Sequence, residues 1–151
     1  MGAGGGALAR VTGLDPGRGE TRHMLPVFPG SGRKFLFVAG SDRPGGNLLY
    51  SADPASGERR AIVPVESGVA WAGGYLIHLR NRALVAQAFD ASRMQVTGPE
   101  VPLAGGIASR PASGANVQVA DFSAAANVIA YVSMSDPGAV SLIRNWTAFL
   151  R

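Results

Sequence analysis

Apolar positions along this chain come in short runs, and Gly or Pro separates almost every run from the next. Residues 34–39 (KFLFVA) are unbroken aromatic and aliphatic, the pattern of a strand covered on both faces. A loop with two turn signals, 40–47 (GSDRPGGN), leads to a second strand at 48–52 (LLYSA). Residues 53–58 (DPASGE) turn the chain, with Pro preset for the bend and Gly closing it, and 60–65 form a third strand. The succession then returns: a short strand at 69–72, a Gly73-Gly74 turn, 75–79 (YLIHL), a turn at Arg80-Asn81-Arg82, 83–89 (ALVAQAF), a turn at Asp90-Ala91-Ser92, and 95–103. Ahead of all this, 23–32 (HMLPVFPGSG) is a proline-broken run suited to an edge or an irregular strand.

The recurrence is visible residue by residue. Val63-Pro64-Val65-Glu66-Ser67-Gly68-Val69-Ala70 returns as Val101-Pro102-Leu103-Ala104-Gly105-Gly106-Ile107-Ala108, 38 positions later. Tyr75 follows Phe35 by 40 positions, and Asp90 mirrors Asp53. A period of roughly 40 residues built of short strands predicts a β-propeller or a related repeat array. A third unit begins after an extra loop at 109–115. Residues 116–122 (NVQVADF) alternate with period two, as one half-buried strand should, and 128–133 (VIAYVS) matches KFLFVA. There the strand pattern stops, leaving half a unit.

Both ends read differently. Residues 1–22 show no periodicity and are rich in Gly and Arg, which predicts disorder. At the other end Asp136 can cap a helix and Pro137 suits its first position, while Leu142, Ile143, Trp146, Phe149 and Leu150 recur at three and four. An amphipathic helix over 137–151 is expected; a strand through Ile143 that turns helical at Asn145 is the other reading. The expected fold is therefore all-β: an incomplete β-propeller over 23–136, with two four-stranded blades and a half blade, then a short C-terminal helix. A closed ring needs at least four blades. Unpaired sheet edges make self-association an expectation.

Composition narrows the chemistry. There are no cysteines, which excludes disulfides, thiolate metal sites and Cys catalysis. The net charge is +4, and Lys34 is the sole lysine among 14 basic residues. These cations are dispersed, with Arg33-Lys34 and Arg59-Arg60 the densest pairs, so no nucleic-acid-binding stripe is expected. No run of about 18 apolar residues is present, so no membrane span is expected, and the N-terminus lacks the apolar core of a signal peptide.

Several strings resemble motifs without their context. Residues 2–7 fit a loose dinucleotide fingerprint, GxGxxA, but no strand precedes them. Ser31-Gly32-Arg33-Lys34 fits SxxK, yet the companion SDN and KTG elements are missing and the four residues lead into a strand. His23 and His78 are the two histidines, too few for a zinc site, and His78 is expected to point to one face of a sheet. Asp15, Asp53 and Asp136 stand at or near Pro or Gly, where a short carboxylate caps a turn. Asn145-Trp146-Thr147 reads as an accidental glycosylation sequon, and Trp71, Tyr75 and Phe35 as packing between units.

The clearest strings, Gly32-Arg33-Lys34-Phe35-Leu36-Phe37, Val63-Pro64-Val65-Glu66-Ser67-Gly68 and Leu84-Val85-Ala86-Gln87-Ala88-Phe89-Asp90, resemble the WD40-like, TolB-type propeller repeats at the C-terminus of bacterial transmembrane serine/threonine kinases. The resemblance spans about residues 25–133. It implies an extracytoplasmic sensor or partner-binding propeller, preceded in that family by a membrane helix and a kinase domain. The kinase elements (HRD, DFG, the VAIK-like lysine) are not in these residues. The ending Asn145-Trp146-Thr147-Ala148-Phe149-Leu150 is similar to the last residues of such chains, so an array with deleted blades is expected.

The functional expectation is a non-catalytic interaction or ligand-sensing module, with a protein or small-molecule ligand and no cofactor or metal. The alternative is the sensor part of a serine/threonine kinase whose catalytic domain lies elsewhere. A hydrolase accessory propeller would accompany a GxSxG element, which is missing. If a site exists it is expected in the strand-to-strand loops, at Asp42, Arg43, Glu66, Ser67, Arg80 and Arg110.

Overall fold

The structure is a computed structural model that describes residues 5–30, 32–112 and 116–150. Its strands, in chain order, are β1 (Glu20–Val27), β2 (Phe35–Ser41), β3 (Leu48–Ala52), β4 (Arg59–Pro64), β5 (Ala70–Ala72), β6 (Tyr75–Arg80), β7 (Ala83–Asp90), β8 (Gln95–Ala104), β9 (Ser109–Pro111), β10 (Gln118–Ala120), β11 (Phe122–Ala124), β12 (Val128–Ser133) and β13 (Asp136–Arg144). Among the described residues they form four antiparallel sheets: β1-β2-β3-β4, β5-β6-β7-β8, the ribbon β9-β10 and the three-stranded β11-β12-β13. The only helices described are the 3-10 turns Pro16–Arg18 and Trp146–Leu150.

The two four-stranded meanders pair alike. Phe35, Leu36, Phe37, Val38 and Ala39 face Ala52, Ser51, Tyr50, Leu49 and Leu48. Tyr75, Leu76, Ile77, His78 and Leu79 face Ala88, Gln87, Ala86, Val85 and Leu84 in the same order. The outer pairings differ by one step. The first meander skips Ile62 in a bulge between Leu49 and Tyr50, and the second skips Leu103 between Leu84 and Val85. A bulge adds one residue to one strand and shifts everything beyond it.

The turns repeat as well. Asp53 Oδ1 accepts the N–H of Ala55 at 2.9 Å, and Asp90 Oδ1 accepts that of Ser92 at 2.9 Å. Asp15 caps its turn likewise, accepting the N–H of Gly17 at 2.9 Å. Asp136 does not: it opens β13, paired with Ser133. The β5–β6 turn needs two left-handed residues in succession, which Gly73 and Gly74 supply (φ 58° and 85°).

Burial follows from the period of two. Leu36 and Val38 point into a core between the first and second meanders, with Leu49, Val65, Leu76, Phe89, Met94 and Val117. Phe37 and Ala39 point the other way and, with Tyr50 and Ala52, are covered by Val11 from the N-terminal segment. Ile77, Leu79, Leu84, Ile107, Ile129 and Trp146 fill the core between the second meander and the third sheet. Each fully buried aliphatic side chain of this kind contributes about 2 kcal/mol. The three aromatics expected to pack between units fall into different places: Trp71 against the first core, Tyr75 against the second, Phe35 on the outer face of the first sheet.

The structure corrects several expectations. Residues 136–144 are strand rather than helix, because β12 offers a partner: Ile129 faces Ile143 and Ala130 faces Leu142. The helix shrinks to Trp146–Leu150, where Trp146 is fully buried, donates to Ala125 O at 2.9 Å and meets the Tyr75 ring edge-on. The third unit is thus a three-stranded sheet where two strands were expected, and residues 116–122 give way to two strands, β10 and β11. At the N-terminus β1 starts at Glu20, so residues 20–22 are strand where disorder was expected. The disorder expected for residues 1–4, the Gly2, Ala3 and Gly4 positions of the GxGxxA string, and Ser31 of the SxxK string lie outside the described residues.

Candidate functional site

A meander places the β2–β3 and β4–β5 connections at one end of the first sheet and the β6–β7 turn at the matching end of the second. Hydrogen bonds gather most of these loops. Asn81 N–H donates to Glu66 Oε1 at 3.1 Å, Ile107 N–H to Arg82 O at 3.0 Å, Met134 N–H to Gly106 O at 2.8 Å and Gln118 N–H to Glu66 O at 2.8 Å. Between them lies a cleft of about 390 Å³, lined by Glu66, Asn81, Arg82, Ser109, Gln118 and Met134.

Three sequence candidates meet at or beside this cleft. Arg80 forks onto Glu100, with Nε to Oε1 at 3.1 Å and Nη2 to Oε2 at 2.8 Å, and reaches Glu66 Oε2 through Nη1 at 3.3 Å. The fork holds the Glu100 carboxyl below its ordinary range, against the opposing effect of partial burial, and raises Arg80 in turn. Glu66 is thereby fixed by Arg80 on one side and by the Asn81 N–H on the other. Ser67 is wholly buried: its hydroxyl accepts the Leu79 N–H at 2.9 Å and donates to Gly68 O at 2.7 Å. It clamps the β4–β5 connection to β6 and offers a ligand nothing.

The remaining candidates stand apart. Arg110 pairs with Asp121 at 2.9 Å on the β9–β10 ribbon. Asp42 holds down the N-terminal segment, its N–H donating to Gly19 O at 3.0 Å, while the Arg43 N–H donates within its own loop to Ser41 Oγ at 3.1 Å. Gly19 has φ 71°, and a Cβ there would lie 2.5 Å from Asp42 Oδ1.

Residue-level reading missed Glu100, which the 40-residue period sets where the first unit has Arg60. A charge flanked by Pro99 and Val101 in a strand is the signal that could have exposed it. His78 does point to a sheet face, and it is fully buried. Burial pushes its imidazole below the ordinary value, outweighing the pull of Glu100, whose Oε2 lies 3.6 Å from Nε2. Nδ1 is 3.3 Å from Leu79 O, which can only accept, so the proton sits on Nδ1 and Nε2 has no hydrogen-bond partner.

A second polar cluster seals the N-terminal segment to the first sheet. Glu20 Oε2 accepts from Asp15 N–H at 2.8 Å, from His23 Nε2 at 2.9 Å and from Arg59 Nη1 at 3.1 Å. Oε1 lies 3.0 Å from the same Nη1, close enough for charge attraction but without hydrogen-bond alignment. Burial alone would raise this carboxyl; the Arg59, His23 and Asp15 hydrogen bonds outweigh it and bring it below the ordinary range. Thr12 Oγ1 is 2.8 Å from His23 Nδ1, and the Arg59 guanidinium lies 4.5 Å from the Tyr50 ring centre. These bonds tie the N-terminal segment to the first sheet, while Glu20 Oε1 and Tyr50 Oη stay buried without a hydrogen-bond partner.

Among the described residues no three His, Asp or Glu side chains gather to hold a metal, and no helix is long and apolar enough to cross a membrane. No family model, curated protein or solved structure matches the chain.

Proposed function

We propose that this chain is a non-catalytic β-propeller repeat module that binds a protein or small-molecule ligand at the loop end of its sheets. The observation that carries the reading is the like pairing of β2 with β3 and of β6 with β7, two consecutive meanders built to one plan. A groove of about 280 Å³ adds to it. Residues of β1, β5, β10 and β11 line it, among them Val27, Ala70, Ala120 and Phe122, as leading strands do when blades surround an axis. The ligand surface is the cleft around Glu66, Asn81 and Arg82, whose walls are fixed by the Arg80–Glu100 fork. A wall fixed before the ligand arrives suits recognition, because little ordering entropy is lost on binding.

The test is a ligand-observed NMR screen of amino acids, short peptides and sugars against the folded chain. Hits should move the amides of Asn81, Arg82, Ser109 and Gln118, and Arg82→Glu should abolish them. Hits scattered over the surface would overturn the site. Transfer of a phosphoryl group from ATP, or ester or peptide hydrolysis, by the purified chain would overturn the non-catalytic reading. The resemblance carried by residues 32–37, 63–68 and 84–90 favours, as a second reading, the sensor region of a serine/threonine kinase. It predicts that the same cleft ligand alters autophosphorylation when these sheets are joined to such a kinase domain.

A further inference from the structure

We propose that a second cleft, between the first and second meanders at the end opposite Glu66 and Arg80, binds an anion bearing a phosphoryl group. The pairing register builds it. Leu36, Ser51 and Arg60 stand in one row across β2, β3 and β4, and Leu36 is buried in the core between the meanders, so Ser51 and Arg60 face the same seam. One row further out come Lys34 and Asp53, with Glu58 beyond the end of β4. From the second meander the Asp90 turn brings Arg93 and Met94 against them, and Met94 is buried as the floor. The seam is apolar in its middle and ends in a polar mouth.

The mouth has two parts. A notch of about 30 Å³, room for one small polar group, is lined by Lys34, Ser51, Arg60, Arg93 and the Met94 floor, with Asp53 and Glu58 at its side. It adjoins a cleft of about 480 Å³ that reaches Arg33, Gly30 and Ser92. The two densest basic pairs of the sequence, Arg33-Lys34 and Arg59-Arg60, thus each send a cation to one place, while Arg59 turns away to Glu20. Four cations from three separate segments stand against three carboxylates: Asp53, which already accepts the Ala55 N–H, Glu58, and Asp90, which lies 3.8 Å from Arg93. Arg60 has a single long contact, 3.7 Å to exposed Glu58. Among the described residues neither Arg33 nor Lys34 has an ion-pair partner.

Beside Arg33 and Lys34 stand Arg60 and Arg93, whose carboxylate contacts are long, 3.7 Å to Glu58 and 3.8 Å to Asp90, so the cations still repel one another and a dianion relieves that repulsion. A planar carboxylate accepts chiefly in its own plane. A tetrahedral phosphoryl group takes donors from several directions, as Lys34 on one wall, Arg93 on the other and the Ser51 hydroxyl present them. The chemistry is that of a phosphate monoester or a small polyphosphate.

The experiment titrates the ¹⁵N-labelled full chain at constant ionic strength with inorganic phosphate, pyrophosphate, acetate and chloride. Saturable shifts are expected at residues 33–35, 51–53, 58–60 and 92–94, with pyrophosphate the tightest and acetate and chloride without effect. Lys34→Ala combined with Arg60→Ala should weaken pyrophosphate by about tenfold or more, and Arg110→Ala should leave it unchanged. Should the double variant lose its fold, Arg93→Ala on its own carries the same expectation. Non-saturating shifts, an equal response to acetate or chloride, shifts spread over arginines throughout the chain, or unchanged affinity in a folded variant would each overturn the proposal.

Discussion

Gly57 and Met94 occupy the same place in two turns, four residues after Asp53 and Asp90, and both have left-handed backbone, with φ 73° and 53°. Glycine adopts this conformation freely; for methionine it costs about 1–2 kcal/mol. The Met94 side chain offsets that cost because it is buried between the meanders, 5% exposed, whereas a Cβ at Gly57 would meet nothing within 4 Å. Met94→Gly should therefore destabilise the protein by about 1–3 kcal/mol, the cavity loss less the strain relieved. Gly57→Ala should cost about 1 kcal/mol from backbone strain alone. Urea midpoints measure both, and a neutral Met94→Gly would show that the floor side chain does not support the seam.

The acid response should come in two steps. His78 has its imidazole lowered by burial, so the unfolded chain binds a proton first. Its contribution is fully present above about pH 6.5 and declines as pH falls below that value. Glu20 and Glu100 are lowered carboxyls, so theirs is present above about pH 4.3 and is lost as pH falls through their folded values. Chemical denaturation at a series of pH values should show both declines. His78→Gln should remove the upper step and Glu20→Gln should shallow the lower one.

Arg80→Met keeps the aliphatic stem but removes the fork. Glu100 should then titrate nearer its ordinary value, and stability should fall by about 2 kcal/mol, since hydrogen bonds to a charged, partly buried group are lost. Carboxyl-carbon NMR follows the first and thermal unfolding the second. An unmoved Glu100 would mean that the fork does not form in solution.

Trp146→Phe preserves most of the buried ring but loses the hydrogen bond to Ala125 O and leaves that carbonyl without this donor. A loss of about 1–2 kcal/mol is expected. Trp146→Ala should cost about 3–5 kcal/mol and loosen the third sheet from the second. Hydrogen exchange at Ile129 and Tyr131 reports that loosening; exchange unchanged in both variants would show the terminal turn to be dispensable.

What the sequence disclosed was whatever a short window encodes. Alternation and turn chemistry within a dozen residues located β2, β3, β6 and β7, and the Asp53 and Asp90 turns. What depended on a distant partner was hidden. The run Val140, Ser141, Leu142, Ile143 fits either period, and the pairing with Val128 to Tyr131 decides for strand. The octapeptide repeat matches Val63 to Val101, yet Leu49 faces Val63 while its counterpart Val85 faces Pro102, because the bulges differ by one position. Of the six loop candidates, Glu66 lines the cleft and Arg80 holds it from beside, in a fork that Glu100, 20 residues beyond Arg80, completes. No local pattern links that pair.

The two outermost sheet faces are unlike. Phe37 and Tyr50 lie sealed beneath Val11, while Val140 and Leu142 on the far side are 67% and 49% open to water. The stack of sheets therefore has a direction, like a column plastered at one capital and left as bare stone at the other. Val140 and Leu142 offer anything that lengthens or shelters it an apolar face on which to build.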